Sequence, residues 1–155
     1  MNGVVSSENI ITIQSRDFGE VKVSADEIIT FPNGLFAFED LTEYVLISPL
    51  GDNEYPMWLQ STQSTKPCFI VFDSTALVPG YNPSLTNNEY EMLKIEENTA
   101  IKYLVIAVVH EDHLKTTVNL KCPIVINTEQ KLAAQVILTE DYSFRQPIFE
   151  TEKGA

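Results

Sequence analysis

Cys122-Pro123-Ile124-Val125-Ile126-Asn127 and its answering run Gln135-Val136-Ile137-Leu138 decide how this chain is read. Two β-branched runs joined by the polar stretch Thr128 to Lys131 spell a β-hairpin buried against a core, because β-branched side chains pack well on a pleated surface. Pro123 belongs at the first position of its strand, where its missing N–H costs no ladder hydrogen bond. Past the hairpin, Tyr142, Arg145 and Pro147-Ile148 continue as an extended tail, since the residue before a proline is steered away from helix. An Asp141–Arg145 ion pair would tie that tail down.

The same texture runs upstream. Ile10-Ile11-Thr12-Ile13 and Val21-Lys22-Val23 flank Arg16 to Glu20, a hairpin turning at Gly19, and the alternation about Lys22 leaves one face of the ribbon wet. Ile28 to Phe31 is a short strand stopped by Pro32-Asn33-Gly34, a strong turn signal. Further strands are Tyr44 to Ile47, Met57 to Ser61, Cys68 to Asp73, Ile101 to Val109 and Thr116 to Leu120. Ser74 to Ser84 reads as a loop leading to Thr86-Asn87-Asn88-Glu89, a capping box that opens a helix with Met92, Leu93 and Ile95 toward the core. Leu35 to Asp40 fits neither a strand nor a helix pattern. Roughly ten short strands and one or two short helices, without repeats or βαβ alternation, predict an all-β, mostly antiparallel fold: a small β-barrel or sandwich-like single domain over 1–155, frayed at 1–8 and 151–155.

Composition narrows the function. A chain of 155 residues buries about two-thirds of its unfolded surface and needs neither disulfide nor metal to fold. Its 10 Lys and Arg face 22 Asp and Glu, a net charge of −12 that repels phosphate backbones and attracts basic partners, so direct nucleic-acid binding is excluded. No stretch approaches the roughly 18 apolar residues of a membrane span, and Met1 to Gly19 lacks a signal-peptide run, which places the protein in the cytoplasm. Cys68 and Cys122 sit in apolar strand contexts and read as buried, reduced thiols.

Few residues carry chemistry. His110-Glu111-Asp112-His113 is the one cluster with metal-ligand side chains, and a polar turn between strands explains it more simply. Nucleophile-elbow, phosphate-loop and paired-cysteine motifs are lacking, so no enzyme activity and no cofactor are predicted. The alternative is a small-molecule-binding or metal-binding β-barrel using His110 and His113. Phe31, Tyr44 and Trp58 are assigned to the core. Phe36 and Phe38, alternating about Ala37, put two rings on one side with Glu39 beside them, an apolar anchor with an acidic rim that Asp40 extends. Asp73 is a further acidic candidate.

Together, Phe18-Gly19, Ile28 to Leu35 with Phe38-Glu39, Trp58-Leu59-Gln60-Ser61, Asn119-Leu120 through Asn127, Gln135 to Leu138, Tyr142, Arg145 and Pro147-Ile148 give a chain that resembles the FliW flagellar assembly factors along nearly its whole length. It departs from that pattern at Ala37, where glycine is usual, at Ser74, where proline is usual, and at Cys122, where a small residue is usual. The resemblance implies a non-enzymatic cytoplasmic protein, monomeric when free, that binds flagellin. When flagellin is exported it binds the translational regulator CsrA instead, relieving repression of flagellin mRNA. It also implies that flagellin's terminal segments, disordered before assembly and helical in the filament, lie as an amphipathic helix in an apolar groove.

Overall fold

The computed structural model describes residues 9–51 and 54–149. The ends expected to fray, 1–8 and 151–155, lie outside the described residues. The strands are β1 (Ile10–Ser15), β2 (Gly19–Ser24), β3 (Ile29–Thr30), β4 (Glu43–Ile47), β5 (Met57–Ser61), β6 (Cys68–Asp73), β7 (Ile101–Val108), β8 (Thr117–Val118), β9 (Ile124–Asn127), β10 (Leu132–Gln135) and β11 (Gln146–Pro147). Two short helices, α1 (Ser74–Leu77) and α2 (Asn87–Met92), and 3-10 turns at Ala25–Glu27 and His113–Lys115 complete the described elements.

Seven strands close on themselves in the order β7-β6-β5-β4-β3-β10-β9 and back to β7, so the all-β expectation holds and the barrel, not the sandwich, is the outcome. Every pairing in the ring is antiparallel except β3 with β10, which meet at Thr30 and Leu132. Closure falls to β7. Its first residues, Ile101 to Leu104, pair with β9, its last two with β8, and its residues from Leu104 to Ala107 also pair with β6.

Period-two alternation sends Tyr44, Leu59, Val71, Leu104, Ile124 and Ile126 into the barrel, where Phe31 and Tyr44 meet edge to face at 5.1 Å. The outer face is apolar as well and is covered piece by piece. The β1–β2 hairpin lays Ile13 and Val23 on Val45 of β4. Around α2, the fully buried Leu93 packs with Val125 of β9 and Ala134 of β10. Val118, Leu120, Tyr142 and Ile148 cover Phe72 and Val105.

Several local readings hold and others shift. Thr86 and Glu89 cap α2 reciprocally, the threonine Oγ1 accepting from Glu89 N at 3.2 Å and the glutamate Oε1 from Thr86 N at 2.9 Å. The second arm of the late hairpin is Leu132–Gln135, not Gln135 to Leu138, because a turn of residues 128–131 pairs Leu132 with Asn127 at once. Val136 and Leu138 remain buried, and their N–H groups reach Pro123 O and Lys121 O at 3.0 and 2.9 Å, beyond the ladder proper. The loop read from Ser74 opens as helix α1, with Asp73 as its N-cap. Ser74 is thus the first helical residue, where proline's fixed φ is well suited. Arg145 does not pair with Asp141; among the described residues the ion pair is Arg16 with Asp17, at 2.8 Å.

Asn127, at the end of β9, is fully buried and uses all its amide capacity. Its Nδ2 donates to Leu93 O and Lys94 O at 2.7 and 3.2 Å, and its Oδ1 accepts from Glu129 N and Gln130 N at 3.0 and 3.1 Å. One side chain therefore ends α2 and shapes the β9–β10 turn. Replacing it leaves the buried Leu93 carbonyl without its partner, at about 1–3 kcal/mol, and frees three partly buried backbone groups at a smaller cost. We expect Asn127→Leu to cost about 3 kcal/mol or more in urea unfolding, and a loss under about 1 kcal/mol would show that the turn forms without the amide.

Cys68 and Cys122 are both buried and free. Burial pushes the Cys68 thiol up to about 11 and raises that of Cys122, so neither supplies thiolate at neutral pH. Iodoacetamide at pH 8 is expected to leave both unlabelled in the folded protein and to label both in urea, as read by mass spectrometry.

Candidate partner-binding site

The segment the sequence left unplaced is a knot of tight turns. Gly34 N donates to Phe31 O at 2.8 Å and Phe38 N to Leu35 O at 2.8 Å, while Leu35 itself is buried in the barrel core. Gly34 has φ +66°, and a Cβ there would lie 2.6 Å from both Glu39 Cα and Phe38 O, so glycine is required. Ala37 also has positive φ, +74°, which explains why glycine suits that position. The left-handed residue makes the segment a turn, so simple alternation of Phe36 and Phe38 about Ala37 does not describe it.

Phe36 and Phe38 nevertheless emerge together, 44% and 37% exposed. Phe38 stands edge-on to Phe69 of β6 at 6.0 Å, and Phe36 N donates to Gln135 Oε1 of β10 at 3.0 Å. Glu39 Oε2 accepts from Ala37 N at 3.1 Å, and Asp40 is exposed beside it. Anchored on two barrel strands, this is a fixed aromatic corner with carboxylates at its edge. Asp73 is not part of it. It lies four residues along β6 from Phe69, about 13 Å away at strand rise. Its Oδ1 is committed to Thr75 N and Oγ1 at 3.0 and 2.7 Å.

The histidines separate as well. Among the described residues no three His, Cys, Asp or Glu side chains are grouped to hold a metal ion. His113 stands edge-on to Phe149 at 6.3 Å in the wall of an open groove of about 270 Å³, together with Trp58, Ile70, Phe72 and Val109; His110 is not in that wall. Trp58 is thus not a core residue. It is half-buried on the outer face of β5, edge-on to Phe18 at 5.3 Å, and its Nε1 donates to Asp17 Oδ2 at 3.2 Å. The sequence did carry a signal for this groove: Trp58, Ile70 and Phe72 occupy the alternation phase opposite to Met57, Leu59 and Val71. A second cavity, about 460 Å³, opens beside α2 between Glu91, Glu96 and Glu129.

Comparison with known proteins adds the whole-chain context. The family model described as FliW protein matches residues 12–148. The chain is 33% identical over 138 residues to the flagellar assembly factor FliW of Bdellovibrio bacteriovorus, covering 88% of this chain and 78% of that one. It is 34% identical over 143 residues to the protein of the same name in Natranaerobius thermophilus, covering 90% and 93%. A crystal structure of the flagellar assembly factor FliW superposes with a TM-score of 0.84 at 28% identity, covering 92% of this chain and 99% of the other. A family match across almost every strand, joined to the shared barrel, shows that the chain belongs to the FliW family.

Proposed function

We propose that the protein is a non-enzymatic flagellar assembly factor of the cytoplasm, which holds flagellin and, once flagellin has been exported, holds CsrA and so relieves CsrA's repression of flagellin mRNA. The observation carrying this reading is the family membership along nearly the whole chain, with relatives named flagellar assembly factors. The net charge of −12 fits it, because a basic RNA-binding partner gains encounter rate and orientation from complementary charge. Free protein is monomeric, and the switch works by mass action: if the two partners exclude each other, linkage between them follows without any conformational change.

The contact residues in this proposal are Phe36 and Phe38 as anchor, Glu39 and Asp40 as rim, and Asp73 as a more distant acidic contributor. A rigid, exposed aromatic pair with carboxylates beside it suits an interface centre, where aromatic side chains carry much of the binding energy. One observation favours the second reading, a small-molecule binder: His113 does line an apolar groove. That groove is open and lined mostly by apolar side chains, with His110 outside it, so it lacks the several convergent polar groups that orient a small ligand.

Titration calorimetry with purified flagellin and with CsrA, at low and moderate salt, is expected to show binding to each, loss of CsrA binding in the presence of saturating flagellin, and weakening of the CsrA complex by salt. A stable ternary complex would overturn the exclusion mechanism. Phe38→Ala is expected to weaken partner binding about tenfold or more with the thermal midpoint nearly unchanged; a midpoint fall of many degrees would instead make Phe38 a packing residue of the Phe69 corner.

A further inference from the structure

The sequence holds two Asn-Gly pairs, Asn2-Gly3 and Asn33-Gly34, and the second lies within the described residues. In such a pair the backbone nitrogen of the glycine can attack the carboxamide carbon of the asparagine, because glycine has no side chain to block the approach and its backbone turns freely. The nitrogen loses its proton, a bond forms between Gly34 N and Asn33 Cγ, and the Nδ2 group takes up a proton and leaves as ammonia. Water then opens the five-membered imide at either carbonyl. One opening gives aspartate; the other gives isoaspartate, with the main chain rerouted through the side-chain carbons. No reactant other than water is needed, and Asn33 is exposed to it.

The folded turn opposes the first step at each atom involved. Gly34 N donates to Phe31 O at 2.8 Å, and it must give up that hydrogen bond before it can lose its proton and attack. Ring closure also needs rotation about the Asn33 Cα–C bond, which swings Gly34. There is no room for that swing: a Cβ on Gly34 would lie 2.6 Å from Glu39 Cα, and the turn is pinned on either side by Phe31 and Leu35, both fully buried. The leaving amide is held too, Nδ2 donating to Met92 Sδ of α2 at 3.2 Å. We infer that Asn33 is a spontaneous deamidation site that the clamped turn holds shut, and that it reacts only in molecules whose turn has let go of Phe31 O. A reaction confined to the open form runs at a rate set by the population of that form.

The products do not fit back into the turn unchanged. Aspartate adds a carboxylate next to the segment that already carries Glu39 and Asp40. Isoaspartate adds a main-chain atom between Phe31 and Leu35, which both belong in the core layer, and Phe36 and Phe38 follow Leu35 directly, so the aromatic corner inherits the displacement. The inference goes beyond the partner-binding reading and does not depend on it.

The folded full-length protein and a free peptide with the sequence of Thr30 to Leu35 are incubated side by side at pH 8. Deamidation at Asn33 is followed by peptide mapping with mass spectrometry, and isoaspartate is counted by enzymatic methylation. Folding is expected to slow the reaction at least tenfold relative to the peptide. Leu35→Ala, which empties the core side of the turn, is expected to raise the folded-state rate at least threefold; should it misfold, Gln135→Ala, which removes the acceptor of Phe36 N, takes its place. Val118→Ala, a truncation in the separate cluster over β7, is expected to leave the rate unchanged. A folded rate within threefold of the peptide's, no reaction at the asparagine of the peptide, a rate unmoved in the turn variant that folds, or equal acceleration by Val118→Ala would overturn the inference, the last because opening would then be global.

Discussion

The carboxamide of Asn127 joins two things that the rest of the molecule needs in fixed relation: the last carbonyls around α2 and the turn that sends β9 into β10. β9 pairs with both β7 and β10, so the angle at which the chain leaves Asn127 sets where β10 meets β3 and whether the ring closes. A buried amide with four partners is directional in a way that apolar packing is not. It gives the late hairpin one register, and the barrel inherits that register.

A barrel with apolar side chains on both faces has more surface to cover than its own strands can hide. Hairpin, helix and tail each take part of the outer face. The turn of residues 34–39 closes over the core layer with Leu35 inside and leaves Phe36 and Phe38 outside, so the aromatic corner is the outward half of a packing element. The groove arises conversely, where two covers stop short of meeting. Both features owe their position to the incompleteness of a cover, and both rest on strands of the barrel beneath.

Much of this was legible in the sequence because it is local. Strand positions followed from β-branched runs, the α2 cap from Thr86 and Glu89, and the turn at Gly34 from Pro32-Asn33-Gly34. Nonlocal features were not. Nothing in Ile101 to Val108 announces a strand shared among three neighbours, and the parallel meeting of Thr30 with Leu132 joins segments about a hundred residues apart. The second arm of the hairpin was misread because Val136-Ile137-Leu138 is the stronger β sequence, while the length of the turn, not propensity, chose Leu132–Gln135. Of the candidate residues, Phe36, Phe38, Glu39 and Asp40 are exposed on one turn segment, and Asp73 lies apart capping α1. The alternation phase of Trp58, Ile70 and Phe72 hints at the groove, but its wall as a whole is drawn from residues between Pro56 and Phe149 that no local pattern joins, and a strand tryptophan is more often core.

The parallel contact and the β7–β9 closure also order events in time. As the chain emerges from the ribosome, β3 through β7 can form an open, curved sheet, but both of its edges wait for residues 124–135. Until then β3 and β7 expose unpaired backbone beside an apolar face, the combination that invites pairing with other nascent chains. For this protein the emergence of residues 124–135 is when an adhesive intermediate becomes a closed barrel.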